Sequence, residues 1–118
     1  MGSAVHWVLE ASIKDGEFDT FKSVMHEMVE SLHAEPGTTD YEWFVSADQK
    51  TCHVHERYVD SAGAMAHVAA FGEKFASRLL AVVDPTRSVA YGSPDGAVRG
   101  ALDGFGAAYM GQIGGFAR

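Results

Sequence analysis

Along the first stretch of the chain Val5, Trp7, Leu9, Ala11 and Ile13 alternate with His6, Val8, Glu10 and Ser12, the two-residue period of a strand that lays one face on a core. Asp15-Gly16 then offers a turn and a helix cap, and Glu17 a first-turn acid. Phe18, Phe21, Val24, Met25, Met28, Val29 and Leu32 follow at steps of three and four, which predicts an amphipathic helix ended by Pro36-Gly37. Tyr41 to Ser46 and Thr51 to Val59 are rich in aromatic and β-branched residues, with the polar Ala47-Asp48-Gln49-Lys50 between them; this predicts a β-hairpin. Asp60 or Ser61 can cap a second helix, whose stripe runs through Met65, Val68, Phe71, Phe75, Leu79 and Val82 until Asp84-Pro85 stops it. A short strand from Arg87 to Tyr91 is closed by Gly92-Ser93-Pro94.

The order β-α-β-β-α-β predicts an α+β protein of ferredoxin-like plan, a four-stranded antiparallel sheet with both helices on one face. The other face then lies open. Because the sheet carries Trp7 and Trp43, a second subunit is expected to cover it, giving a homodimer. Residues 1–92 form this domain and 93–118 a C-terminal extension. In the extension Val98, Leu102, Phe105 and Tyr109 have helical spacing, but glycines stand at 96, 100, 104, 106 and 111. Each interior glycine costs a helix ~1 kcal/mol relative to alanine, so the segment is expected to order by packing on the domain or across the dimer.

A length of 118 residues allows one domain. The formal charge of −7, with scattered basic residues, argues against nucleic acid as a partner. No apolar run approaches the ~20 residues that cross a bilayer, so no membrane role is expected. The single cysteine, Cys52, cannot form an internal disulfide, in keeping with a cytoplasmic protein.

Several residues could carry chemistry. His67 lies beside the second-helix stripe, about 100° from Val68 on a helical wheel, so it can look toward the edge of the sheet. A free imidazole, with a pKa near ~6.5, can deprotonate a phenol or an activated carbon acid; the plainer reading is a boundary histidine bonded to a carbonyl. Glu56 shares a strand face with Cys52, Val54 and Tyr58. A carboxylate in that company is either one half of a structural ion pair, the favoured reading, or a pocket acid or base beside His67. His53 and His55 share the opposite face, and with His6 could hold a metal only if the three converge; no metal site is expected. Tyr41, Trp43, Phe44, Trp7 and Tyr91 suit either a pocket for flat aromatic molecules or ordinary packing. No glycine-rich phosphate loop follows a strand.

Glu35-Pro36-Gly37, Tyr41, the strand end Glu56-Arg57-Tyr58, and His67 nine residues after Tyr58 together resemble the antibiotic biosynthesis monooxygenase family of dimeric α+β barrels. The resemblance covers roughly residues 5 to 92. It departs from the family at Tyr58, where tryptophan is frequent, and in the glycine-rich extension. It implies a cofactor-independent monooxygenase that oxidises a small electron-rich aromatic substrate, a quinol or anthrone, with molecular oxygen. His67 and Glu56 would then be catalytic, and Tyr41, Trp43, Phe44, Tyr58 and Phe71 would contact substrate. The alternatives are a non-catalytic dimeric barrel that binds a small apolar ligand and, less favoured, a haem-binding or haem-degrading protein.

Overall fold

In the computed structural model, which describes residues 3–118, the elements run β1 (Val5–Ile13), α1 (Phe18–His33), β2 (Thr38–Val45), β3 (Thr51–Tyr58), α2 (Ser61–Lys74), α3 (Ala76–Leu80), β4 (Val83–Gly92), α4 (Gly96–Asp103) and β5 (Ala108–Met110). The sheet order is β2-β3-β1-β4-β5, antiparallel except for the parallel β4–β5 pair. The first four strands therefore follow the ferredoxin-like plan, and the chain adds a fifth strand that the hydrophobic pattern did not announce.

The helices cover one face. Strand registers place Trp43, Val54, Leu9 and Ser88 in one row across that face and Tyr41, Glu56, Trp7 and Ala90 in the next. Alternation sends His6, Glu10, Phe44, His53 and His55 to the opposite face. Both tryptophans lie beneath the helices, so they give no reason to expect a second subunit over the open face. That face instead presents Phe44, which is 52% exposed and meets His55 edge-on, together with a stacked His6–Tyr91 pair.

Four further expectations are corrected. Asp15-Gly16 makes the turn before α1, with Gly16 in the left-handed region at φ +78°, but no side chain caps the helix. The second helix breaks at Phe75, whose backbone leaves helical geometry (φ −126°, ψ −24°), and resumes as α3; the break lets Phe75 and Leu79 both reach the core. Asp84-Pro85 does not stop a helix but lies inside β4, which is twice as long as the Arg87–Tyr91 core read from sequence (10 residues). Proline is tolerated because β5 pairs only with Val89 to Tyr91, leaving Pro85 on an edge where no ladder N–H is needed. Beside it the register slips between Glu10 and Ala11, and the Thr86 hydroxyl donates to the Glu10 carbonyl and carboxylate at 3.2 and 3.0 Å. Lastly, Tyr109 is not helical: α4 ends at Asp103 and Gly106, at φ +67°, turns the chain into β5.

Caps appear where acids precede the later helices. Asp60 accepts from the Gly63 N–H at 2.8 Å and Asp95 from the Val98 N–H at 3.0 Å, each satisfying one unpaired donor of a first turn. Val98 and Leu102 of α4 are buried with Val5, Trp7, Tyr58, Ala64 and Ala90 in one apolar cluster, while Phe21, Val24, Met28, Cys52, Phe75, Leu79 and Val82 belong to another.

Candidate active site

Between those two clusters lies a cavity of about 340 Å³, lined by Trp7, Leu9, Tyr41, Trp43, Val54, Glu56 and Ser88 from the sheet and by His67, Val68, Phe71, Leu79, Leu102 and Phe105, among others, from the helices and α4. This volume is at the lower end of the range that takes small organic ligands. Gly72 and Leu80 also line it and both are exposed, marking its mouth.

His67 enters the cavity because α2 comes very near the sheet. A Cβ on Gly37, just before β2, would lie 2.7 Å from the Gly63 Cα, and one on Gly63 would lie 2.9 Å from the Gly37 oxygen. Only two glycines permit that backbone approach. His67 lies one turn beyond Gly63, so it points down at the strands. It is 5% exposed and does not look out over the sheet edge. Its Nε2 is 3.2 Å from Glu56 Oε1, and Glu56 is itself 6% exposed. The Tyr58 hydroxyl donates to the same carboxylate oxygen at 2.7 Å, and its ring stacks on the imidazole at 5.6 Å between centroids. Tyr41 meets the imidazole edge-on at 5.7 Å and Phe71 lies at 6.1 Å.

Burial, with the Glu56 charge second, raises the Tyr41 and Tyr58 phenols far above their ordinary range. Both remain protonated donors at any working pH. Glu56 thus accepts from the Tyr58 hydroxyl and lies beside the imidazole Nε2. His67 Nδ1 is buried and has no partner. Glu56 therefore lies beside His67 on the cavity wall.

Of the residues singled out from sequence, His67, Glu56, Tyr41, Trp43 and Phe71 meet at the cavity. Tyr58 stands behind Glu56, fully buried, where it holds the carboxylate rather than touching the cavity. Phe44 is on the other face of the sheet. His53 binds Glu10 at 2.9 Å, away from the site, and among the described residues no three His, Cys, Asp or Glu side chains are placed to hold a metal ion. Cys52 is buried in the core, and burial pushes its thiol up to about 11.

Sequence reasoning missed Ser88 and the contribution of the extension. Ser88 is 3% exposed and its hydroxyl has no partner, a state that costs roughly 1–3 kcal/mol. The signal was present: Ser88 and Ala90 alternate with Val89 and Tyr91, so a polar residue had to face the helices. Phe105 reaches the cavity just past the end of α4, in a segment whose glycines obscure any periodicity. The Tyr41 hydroxyl and Trp43 Nε1 also lack hydrogen bonds; they lie near one another without the geometry of one. The walls thus hold polar groups without protein partners inside an otherwise apolar space.

A family profile described as antibiotic biosynthesis monooxygenase matches residues 4–71. Among solved structures the chain is similar to MupZ from Pseudomonas fluorescens, with a TM-score of 0.87 and 19% identity over 99% of this chain and 96% of that one. It is also similar to SnoaB, a cofactor-independent oxygenase from Streptomyces nogalater, at a TM-score of 0.68 and 16% identity over 80% of this chain and 96% of that one. Protein SO0527 from Shewanella oneidensis aligns at a TM-score of 0.67 and 21% identity, over 77% of this chain and 91% of that one. No curated protein sequence matches. The structural likenesses speak for the fold, while the profile spans more than half the chain and takes in β1 through most of α2, including Glu56 and His67. The chain belongs to the antibiotic biosynthesis monooxygenase family.

Proposed function

We propose that this protein is a cofactor-independent monooxygenase that oxidises a small electron-rich aromatic substrate, a quinol or an anthrone, with molecular oxygen. The observation that carries the reading is a buried His67–Glu56 pair, 3.2 Å apart, on the wall of an otherwise apolar cavity. Such a pair serves to move a proton away from bulk water. The imidazole takes a proton from a substrate seated in the cavity, and the neighbouring carboxylate stabilises the imidazolium that forms. Glu56 and Tyr58 hold the imidazole in place; Trp7, Phe71 and Phe105 supply apolar surface for the substrate.

For an anthrone the atoms balance as follows. His67 removes a proton from the ring carbon opposite the carbonyl, and the carbanion passes one electron to oxygen. The carbon radical and superoxide combine into a peroxide anion, forming one C–O bond. His67 returns its proton to give the hydroperoxide. Loss of the second C–H proton with cleavage of the O–O bond releases water and leaves the quinone carbonyl. Oxygen is the sole oxidant, and the low-polarity cavity keeps water from the intermediates.

The protein acts as a homodimer, a reading supported by the uncovered sheet face with Phe44 upon it. Its cytoplasmic location is supported by the unpaired Cys52. Among the described residues no helix is long and apolar enough to cross a membrane.

The test is an oxygen-electrode screen of hydroquinones and anthrones, with the product identified by mass. Uptake of one oxygen per substrate is expected, falling on the order of 10²-fold or more in His67→Ala under conditions where circular dichroism shows the variant folded. Turnover at the wild-type rate in folded His67→Ala would remove His67 as the base. Failure of every quinol and anthrone that binds to consume oxygen would favour the ligand-binding reading.

A further inference from the structure

Near the end of α2 stands a glycine that the fold does not require. Gly72 is helical and has none of the positive φ that calls for glycine. A Cβ built on it would meet no atom within 4 Å, so neither close packing nor backbone strain keeps a side chain out. At Gly37 and Gly63, by contrast, an added Cβ meets backbone at 2.7 and 2.9 Å. The helix loses by the choice, since inside a helix only proline is worse than glycine.

What distinguishes Gly72 is its place. It belongs to the cavity wall and is exposed to solvent, as is Leu80 beyond the helix break; every other residue of that wall is buried or half-buried. One turn earlier on the same side of α2 the wall is closed, because Val68 packs on the apolar cluster that holds Val98 and Leu102 of α4. At Gly72 the side chain that would continue that seam is missing, and the space it would fill is empty.

We infer that Gly72 is the doorway of the cavity: molecules pass between solvent and the interior through the gap left by its missing side chain, and the size of the residue at this position sets what is admitted. Gly72 contributes passage rather than contact. The inference deepens the oxygenase reading, whose substrate has to reach His67, but its test needs no turnover.

The probe is acrylamide, a small neutral quencher, and the reporter is Trp7, which is buried and lines the cavity. Trp43 is replaced by phenylalanine so that a single tryptophan emits, and circular dichroism confirms that each variant is folded. The collisional quenching constant, taken from fluorescence lifetimes, should fall stepwise through Gly72→Ala, Gly72→Val and Gly72→Leu, to less than half its starting value in the last. Ala66→Leu, at an exposed position of the same helix and off the cavity wall, should leave it unchanged. Gly72→Ala should also raise the melting temperature, because it gains helix propensity and meets nothing; a glycine kept for packing or backbone reasons would show a fall. Equal quenching across the Gly72 series, an equal loss in Ala66→Leu, a Trp7 closed to acrylamide before residue 72 is changed, or a lower melting temperature in Gly72→Ala would overturn the inference. If quenching follows residue 72 while no quinol or anthrone consumes oxygen, the doorway stands and the oxygenase reading falls. If oxygen is consumed and Trp7 stays equally open to acrylamide in Gly72→Leu, the doorway falls alone.

Discussion

Replacing Tyr58 by phenylalanine deletes one oxygen and no apolar surface, which makes it the cleanest probe of how the His67–Glu56 pair is held. Tyr58 is fully buried and its hydroxyl donates to Glu56 Oε1 at 2.7 Å. Hydrogen bonds to a charged partner contribute about 1.5–3 kcal/mol. Water cannot take the place of a hydroxyl at a fully buried residue, so the upper part of that range applies, about 2–3 kcal/mol. A chain of 118 residues unfolds with an entropy near 0.25 kcal/mol/K, from about 2.1 cal/mol/K per residue. The melting temperature should therefore fall by roughly 8–12 °C. Thermal denaturation followed by circular dichroism at pH 7, at one fixed protein concentration, measures it. Repeating the substitution in a Glu56→Gln background completes a cycle: the amide still accepts a hydrogen bond but carries no charge, so the second loss should be about half the first. A fall of less than two degrees in Tyr58→Phe, or an equal fall in both backgrounds, would show that the hydroxyl does not support the carboxylate.

Gly63→Ala should destabilise the fold by about 1–3 kcal/mol, because its methyl meets the Gly37 backbone oxygen at 2.9 Å, and any lift of α2 should weaken ligand binding beside His67; chemical denaturation and fluorescence titration read the two effects. Cys52, its thiol pushed up to about 11 by burial, should resist iodoacetamide in the folded protein at pH 8, gain reactivity only as pH climbs toward that value, and react promptly once unfolded in guanidinium; mass spectrometry reports the adduct. Phe44→Asp should leave the folded chain's helix content intact but shift it toward a monomer of about 13 kDa in light scattering, since a charge replaces the most exposed aromatic of the open face; an unshifted dimer, or a wild-type chain already monomeric, would count against that face as the interface.

The parts of the fold that the sequence made legible are those where one period governs a whole element. β1, α1 and the β2–β3 hairpin each bury one face along their full length, so alternation or helical spacing finds them. The second helix was read too long because Phe75 and Leu79 keep its spacing, while the backbone break at Phe75 has no sequence marker of its own. Pro85 was read as a stop for a reason that holds only where its N–H is needed, and edge position is a tertiary property. At the site, alternation already separated Phe44 from Tyr41 and Trp43, so placing it with them gave aromatic character more weight than geometry. The depth of His67 was not legible for a different cause. Helical phase gave its angle, but the depth of α2 over the sheet is set by Gly37 meeting Gly63, a contact between segments 26 residues apart.

The cavity walls are assembled from two portions of the chain. His67, Glu56 and the aromatic residues of β2 fall within residues 4–71, the stretch matched by the family profile. Gly72, Ala76, Leu79, Leu80, Ser88, Ala101, Leu102 and Phe105 come after it. Such a layout lets the later portion reshape the cavity while His67 and Glu56 stay in place. Chimeras that exchange residues 72–118 between relatives are thus the natural way to transplant substrate preference, and the same division warns that a shared family profile carries reactivity from one member to another far better than it carries a substrate.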